Sequence, residues 1–169
     1  AVSQSLKNDT LEHFQIKREI DVVPNFIDFT RFNKQPKEHF KKAISPNGEK
    51  ILVHTSNFRK VKRVEDVLHT FVKVNKKIPS KLLLVGDGPE RANIDVLCRK
   101  YGLCDQVIMI GKVRDTSHVL EISDLFLLPS ETESFGLAAL EAMACGVPVM
   151  ASQAGGLTEL IQDGVNGFL

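Results

Sequence analysis

Leu125-Phe126-Leu127-Leu128-Pro129-Ser130-Glu131-Thr132-Glu133-Ser134-Phe135-Gly136-Leu137-Ala138-Ala139-Leu140-Glu141, continued by Ala142-Met143-Ala144-Cys145-Gly146-Val147-Pro148-Val149-Met150-Ala151, decides the architecture of this chain. Four apolar residues stop at Pro129-Ser130 and read as a buried strand. Residues 130–134 are polar and form a loop. Residues 135–144, rich in Ala, Leu, Met and Glu, have strong helix propensity, and residues 147–151 return to a short apolar strand. Ser134 is a good N-cap type, so the helix is expected to begin at Phe135. Its first free amides, on Phe135, Gly136, Leu137 and Ala138, then open beyond the carboxyl end of the strand. Unpaired amides and the positive end of the helix dipole favour an anion there, and Gly136 carries no side chain to screen them.

Two carboxylates flank that helix start. Glu133 lies in the loop and Glu141 about two turns inside, so a fully helical segment would separate them by roughly 12 Å along the axis. A retaining hydrolytic pair needs about 5 Å, which disfavours that chemistry. Two readings of the spacing stay open: both acids accept hydrogen bonds from ligand hydroxyls, or Glu133 is a solvated loop residue and Glu141 a surface helix residue.

The same alternation runs through the chain from residue 49. Strands are expected at 51–55, 81–85, 107–110, 125–128 and 147–151, and helices at 64–75, 90–101, 116–122, 135–144 and 157–161. Nearly continuous apolar strands joined by helices indicate a Rossmann-like, doubly wound parallel α/β sheet covered on both faces. Ligands of such sheets bind beyond the carboxyl strand ends. Those ends carry Ser56-Asn57-Phe58-Arg59, Gly86-Asp87-Gly88-Pro89, Gly111-Lys112-Val113-Arg114, Ser130-Glu131-Thr132-Glu133 and Ser152-Gln153-Ala154-Gly155-Gly156. Residues 1–48 differ: an extended stretch with a turn at 22–28 precedes a lysine-rich tract punctuated by Pro36, Pro46 and Asn47-Gly48, and reads as an approach segment. The sheet domain is expected over 49–169, with an apolar run starting at Gly167-Phe168-Leu169 that suggests a domain continuing past it.

Composition narrows the function. The chain of 169 residues is 43% apolar and 25% charged with a formal net charge of +1, enough for one substantial core. Basic residues are scattered, which argues against a nucleic-acid or membrane partner; the tightest cluster is Arg59-Lys60-Val61-Lys62-Arg63. The sequence shows neither a signal peptide nor an apolar run near membrane-spanning length, and a cytoplasmic location is expected. Cys98, Cys104 and Cys145 lack CxxC spacing and read as reduced thiols. The five histidines are dispersed, so no metal site is expected. His54, at a strand end on the presumed ligand edge, is the one histidine placed to meet a ligand.

Glu133 with Glu141, Gly146-Val147-Pro148-Val149, and Gly155-Gly156 with Glu159 together resemble the signature of glycosyltransferase family 4, retaining enzymes of GT-B architecture. Val23-Pro24-Asn25-Phe26-Ile27-Asp28 resembles the family's interdomain entry, and Leu84-Val85-Gly86-Asp87-Gly88-Pro89 its second donor-side strand and turn. The likeness identifies the chain as a C-terminal, donor-binding half. Ser56-Asn57-Phe58-Arg59-Lys60-Val61-Lys62-Arg63, with the residues from Pro129 to Leu137, resembles most the bacillithiol-biosynthesis branch. That branch implies a UDP-N-acetylglucosamine donor and a small acceptor such as L-malate, held by an N-terminal domain. No cofactor or metal is implied.

The resemblance assigns Glu141 to the ribose hydroxyls of the UDP-sugar, Glu133 and the backbone of Phe135 and Gly136 to the transferred sugar, and counts Ser134 among the donor-binding residues. The amides of Leu137 and Ala138 would hold the distal phosphate, Lys62 would neutralise the diphosphate, and the main chain at Val113 and Arg114 would read the uracil edge. Glu133 and Lys62 are the implied catalytic pair. One departure stands out: the family arginine five positions before the lysine is Asn57 here, and an amide cannot supply a guanidinium fork, so Arg59 is a candidate substitute. Two rivals remain, a non-catalytic nucleotide-sugar-binding module and half of a UDP-sugar epimerase. A nicotinamide oxidoreductase is disfavoured because the first strand is followed by no GxGxxG.

Overall fold

The computed structural model describes residues 1–33 and 38–169; Pro36, read from the sequence as punctuation, lies outside the described residues. The elements run α1 (Gln4–His13), α2 (Glu38–Ile44), β1 (Lys50–Ser56), α3 (Val64–Asn75), β2 (Ser80–Gly86), α4 (Arg91–Lys100) and β3 (Val107–Gly111). They continue with α5 (Ser117–Leu120), β4 (Leu125–Leu128), α6 (Leu137–Ala144), β5 (Val149–Ala151) and α7 (Leu157–Leu160). Every pairing in the sheet is parallel, in the order β3-β2-β1-β4-β5. This is the expected Rossmann-like sheet. Its order reverses between β1 and β4, so a crevice opens beyond their carboxyl ends.

Strand periodicity sorts the core into two layers. Ile51, Val53, Leu83, Val85, Phe126 and Leu128 pack on one face against α6 residues Ala139 and Ala142. Leu52, Leu82, Leu84 and Leu127 pack on the other, against α3 and α4. On α3, Val64, Val67, Leu68 and Phe71 recur at the spacing of one helical stripe, and each is at most 1% exposed. Burying side chains of this size stabilises by about 1.5–3 kcal/mol apiece before chain entropy is charged. Cys98 and Cys145 are buried in these layers, where desolvation pushes both thiols up to about 11; Cys104 is exposed, and all three are free.

Away from the site, three features differ from the sequence reading. The last strand begins at Val149 because Pro148 has no N–H for the ladder, although its carbonyl still accepts from Phe126 N at 2.9 Å. The helix expected at 116–122 is confined to Ser117–Leu120. Helices α1 and α2 occupy a region that sequence reading left without helices; neither fully buries a side chain, so neither shows an apolar stripe. Helix α1 is held at its end instead. Ser3 Oγ accepts from Leu6 N at 3.0 Å, and the Glu159 carboxylate of α7 accepts from Gln4 N at 2.9 Å and Ser5 N at 2.7 Å.

Candidate functional site

The loop after β1 and the loop after β4 meet where the strand order reverses. Phe58 takes a left-handed conformation (φ 41°) and drives its ring into the core at 0% exposure, which turns the chain sharply out of β1. A single 3-10 turn, Lys60–Lys62, follows, closed by Lys62 N donating to Arg59 O at 2.8 Å. The two loops are tied by Glu131 N donating to Val61 O at 2.8 Å. Across that junction Lys62 Nζ contacts Glu133 Oε2 at 2.6 Å, with side chains only 20% and 16% exposed. At this exposure, removing one partner would leave the other charge sheltered and poorly compensated.

A cleft of about 530 Å³ lies over this pair. Asn57, Arg59, Lys62, Glu133 and Ser134 line it, and Ser5 and Asp9 of α1 face them. The structure therefore gathers five of the sequence-predicted site residues, including Arg59 beside the Asn57 that departs from the family pattern. A second hollow of about 410 Å³ lies near the amino ends of β1 and β4. There Asp124 is engaged by Lys41 at 2.8 Å and by Ile51 N at 2.8 Å, an arrangement that holds strand β1.

Ser134 does not cap α6. The helix starts at Leu137, two residues later than expected, and its N-cap is Gly136 in the left-handed region (φ 96°, ψ 45°). Glycine takes that conformation without strain, and a Cβ there would lie 2.5 Å from Leu157 Cδ2. The first turn closes with Leu140 N donating to Gly136 O at 3.0 Å. The amides of Leu137, Ala138 and Ala139 are thus the orphan donors of the helix, and Phe135 and Gly136 form the bend before them. The free amides expected from the sequence at residues 135–138 therefore fall on Leu137, Ala138 and Ala139 instead.

Glu141 is half-buried on α6, and its Oε2 accepts from Thr116 Oγ1 at 3.1 Å. Burial raises its pKa most, the nearby Asp115 charge adds to that, and the Thr116 hydrogen bond and the Arg31 charge oppose it. Val113 and Arg114 lie in the loop after β3, next to Thr116. Arg114 O accepts from Arg31 Nη2 at 2.8 Å, and Arg31 Nε stands 3.3 Å from Asp115 Oδ1. Glu141 and the 113–116 loop thus form a second grouping, outside the lining of the 530 Å³ cleft. Arg31, Asp115 and Thr116, like Ser5 and Asp9, were not singled out from the sequence; only their placement in three dimensions reveals them.

His54 is not at the ligand edge. It is 0% exposed, with Nδ1 2.8 Å from Leu127 O and Nε2 2.8 Å from Ser56 Oγ. A carbonyl only accepts, so Nδ1 carries the proton and Nε2 accepts from the Ser56 hydroxyl. Desolvation lowers its pKa to about 4. Ser56 Oγ in turn accepts from Phe58 N at 3.2 Å, so the histidine braces the turn that leads to Arg59 and Lys62. Among the described residues, no cluster of three or more His, Cys, Asp or Glu side chains could hold a metal ion, and no helix is long and apolar enough to cross a membrane.

Known structures share this fold. Anabaena HepE, solved in complex with UDP-glucose, superposes on the whole chain with a TM-score of 0.90 at 26% identity, the match spanning 48% of HepE. The C-terminal domain of a glycosyl transferase group 1 family protein, LpcC of Francisella tularensis, matches 85% of the chain with a TM-score of 0.72 and 26% identity, over 79% of that domain. In sequence, the chain is 48% identical over its full length to the N-acetyl-alpha-D-glucosaminyl L-malate synthase of Bacillus anthracis, of which it covers 45%. The chain thus spans about half the length of the curated relatives it matches. The pattern described as glycosyl transferases group 1 matches residues 35–169, and the chain belongs to that family.

Proposed function

We propose that this chain is the donor-binding half of a retaining, cytoplasmic glycosyltransferase that moves N-acetylglucosamine from UDP to a small acceptor, L-malate. The observation that carries the reading is the Lys62–Glu133 pair, held at 2.6 Å in a cleft at the reversal of strand order. The UDP-glucose complex of HepE supports a nucleotide-sugar donor, and the name of the Bacillus anthracis relative supports the sugar and the acceptor. The acceptor is assigned to the half of such relatives that the chain does not span, so the chain alone would bind donor without turning it over.

In this reading the orphan amides of Leu137, Ala138 and Ala139 receive the distal phosphate, and Glu141 accepts from the ribose hydroxyls. Lys62 leaves Glu133 for the diphosphate, with Arg59 standing in for the guanidinium that Asn57 cannot provide. Glu133, released, accepts from the sugar, with Ser134 and the backbone of Phe135 and Gly136 beside it. As the anomeric C–O bond breaks, its electron pair goes to the diphosphate oxygen, and Lys62 and the amides stabilise the charge without a metal. The acceptor oxygen bonds the same face of the anomeric carbon, and its proton passes to the departing phosphate.

Calorimetry of the chain with UDP, UDP-N-acetylglucosamine, ADP and NAD, without metal, tests this directly. Uridine-selective binding should be abolished in Glu141→Ala. In Lys62→Ala it should weaken 10- to 100-fold, the worth of a charge-assisted contact. Unchanged UDP affinity in both variants would refute the site. In the full-length enzyme, UDP-N-acetylglucosamine consumed without malate would favour an epimerase instead.

A further inference from the structure

We propose that Arg31 is a positioning residue for the nucleoside end of the site, through which the strap ahead of the sheet, residues 22–33, sets how the base is read. The inference rests on the nucleotide-sugar reading above and adds a residue and a linkage to it.

The strap is fixed where Arg31 leaves it. Asp28 Oδ1 accepts from Thr30 N at 2.8 Å, and Asp28 O accepts from Arg31 N at 3.1 Å and Phe32 N at 3.0 Å. Phe32, next in sequence, is 5% exposed in the core layer that contains α6, and the Arg31 guanidinium lies 5.2 Å from its ring centroid. From this base the guanidinium spans two acceptors in one loop, the Arg114 carbonyl at 2.8 Å and Asp115 Oδ1 at 3.3 Å. Asp115 Oδ1 also accepts from Ser117 N at 3.0 Å, which anchors the start of α5. Thr116, between them, donates to Glu141. Arg31 thus holds, on either side of the Arg114–Asp115 peptide, the loop whose next residue, Thr116, contacts Glu141, and so ties the segment ahead of the sheet to both groups assigned to the nucleoside.

The chemistry calls for such a brace. A base edge read by main-chain groups is read only as well as the peptide planes are held, and residues 113–116 lie in a loop with no ladder to hold them. A planar fork fixes two acceptors at a set angle, which a lysine cannot do. The same positive charge acts on Glu141 and favours its ionised form, the stronger acceptor toward ribose hydroxyls, which burial opposes.

Titration of the chain with UMP and UDP tests the assignment. The Arg31 side chain is 45% exposed, so Arg31→Met should fold normally. It should weaken UMP and UDP by the same factor, about tenfold, and amides 113–116 should exchange faster while those of α3 do not. Arg31→Lys should restore part of the loss. Lys62→Ala, by contrast, should weaken UDP far more than UMP. Wild-type affinity in Arg31→Met, or a loss confined to UDP, would overturn the assignment. Glu141→Gln separates the two levels: if it loses UMP while Arg31→Met does not, only the role of Arg31 fails, and if it too binds normally, the nucleotide reading fails.

Discussion

Replacing Gly156 by Ala should damage stability and donor binding together, through contact alone. Gly156 has φ −63°, a conformation any residue adopts, so no backbone strain is introduced. The new Cβ, however, would lie 2.4 Å from Ser134 O and 2.8 Å from Phe135 Cα, both backbone atoms that cannot rotate away. Relief to an ordinary 3.4 Å contact requires a shift of about 1 Å. That shift falls on the loop carrying Glu133, whose carbonyl already accepts from Gly156 N at 2.8 Å. Overpacking of this kind costs about 3 kcal/mol, the upper end of its usual range, because the obstruction is main chain. For a domain of this size the melting temperature should fall by about 6–12 °C. UDP affinity should fall about tenfold as the bend at Phe135 and Gly136 shifts the amides of Leu137, Ala138 and Ala139 that follow it. Gly102→Ala is the control: its φ of +66° brings strain, but nothing lies within 4 Å, so it should cost about 1 kcal/mol and leave UDP binding intact. Thermal melts with calorimetry at a temperature where both variants are folded provide the readout. A Gly156→Ala protein that is destabilised yet binds UDP normally would refute the link between this turn and the Glu133 loop, and unchanged stability would refute the packing argument itself.

Two further outcomes follow from the same geometry. The folded pKa of His54 is about 4 against an ordinary 6.5, so the unfolded chain binds the proton first and stability falls as pH drops from about 6.5 toward 4. That loss amounts to about 3 kcal/mol, and urea denaturation of wild type and His54→Gln across this range should show it as a difference in slope; parallel curves would contradict a buried neutral histidine. Glu159→Ala removes the carboxylate that holds Gln4 N and Ser5 N, and since α1 fully buries no side chain, it should loosen by about 1–2 kcal/mol. Amide exchange in α1 about tenfold faster than in wild type, with α3 unaffected, is the expected result; unchanged exchange would show that other contacts secure the helix.

The sheet was legible in the sequence because its strands are short apolar runs and its covering helices carry a stripe set by their own period. The segment from Val64 to Asn75 illustrates this, helical over the expected span with Val64, Val67, Leu68 and Phe71 all turned inward. The cleft residues Asn57, Arg59, Lys62, Glu133 and Ser134 were legible for a related reason: they follow strands whose carboxyl ends must share one edge of a parallel sheet. Backbone conformation was harder to read. Ser134 has the chemistry of a cap, but the cap is Gly136, because close packing against Leu157 and a left-handed turn admit only glycine there. His54 has the chemistry of a ligand group, yet strand pairing buries it between Leu127 O and Ser56. Helix α1 has no periodic signal, since it is attached by its end to Glu159, 155 residues from Gln4. Arg31, Thr116 and Glu141 illustrate the same division, being far apart in the chain and joined only in space. By itself the sequence determined what local periodicity and residue chemistry encode: the layers, the parallel sheet and the polar edge. Tertiary structure alone decided which polar groups are paired and which face the cleft, because hydrogen bonds and desolvation depend on neighbours that the chain brings together only when it folds.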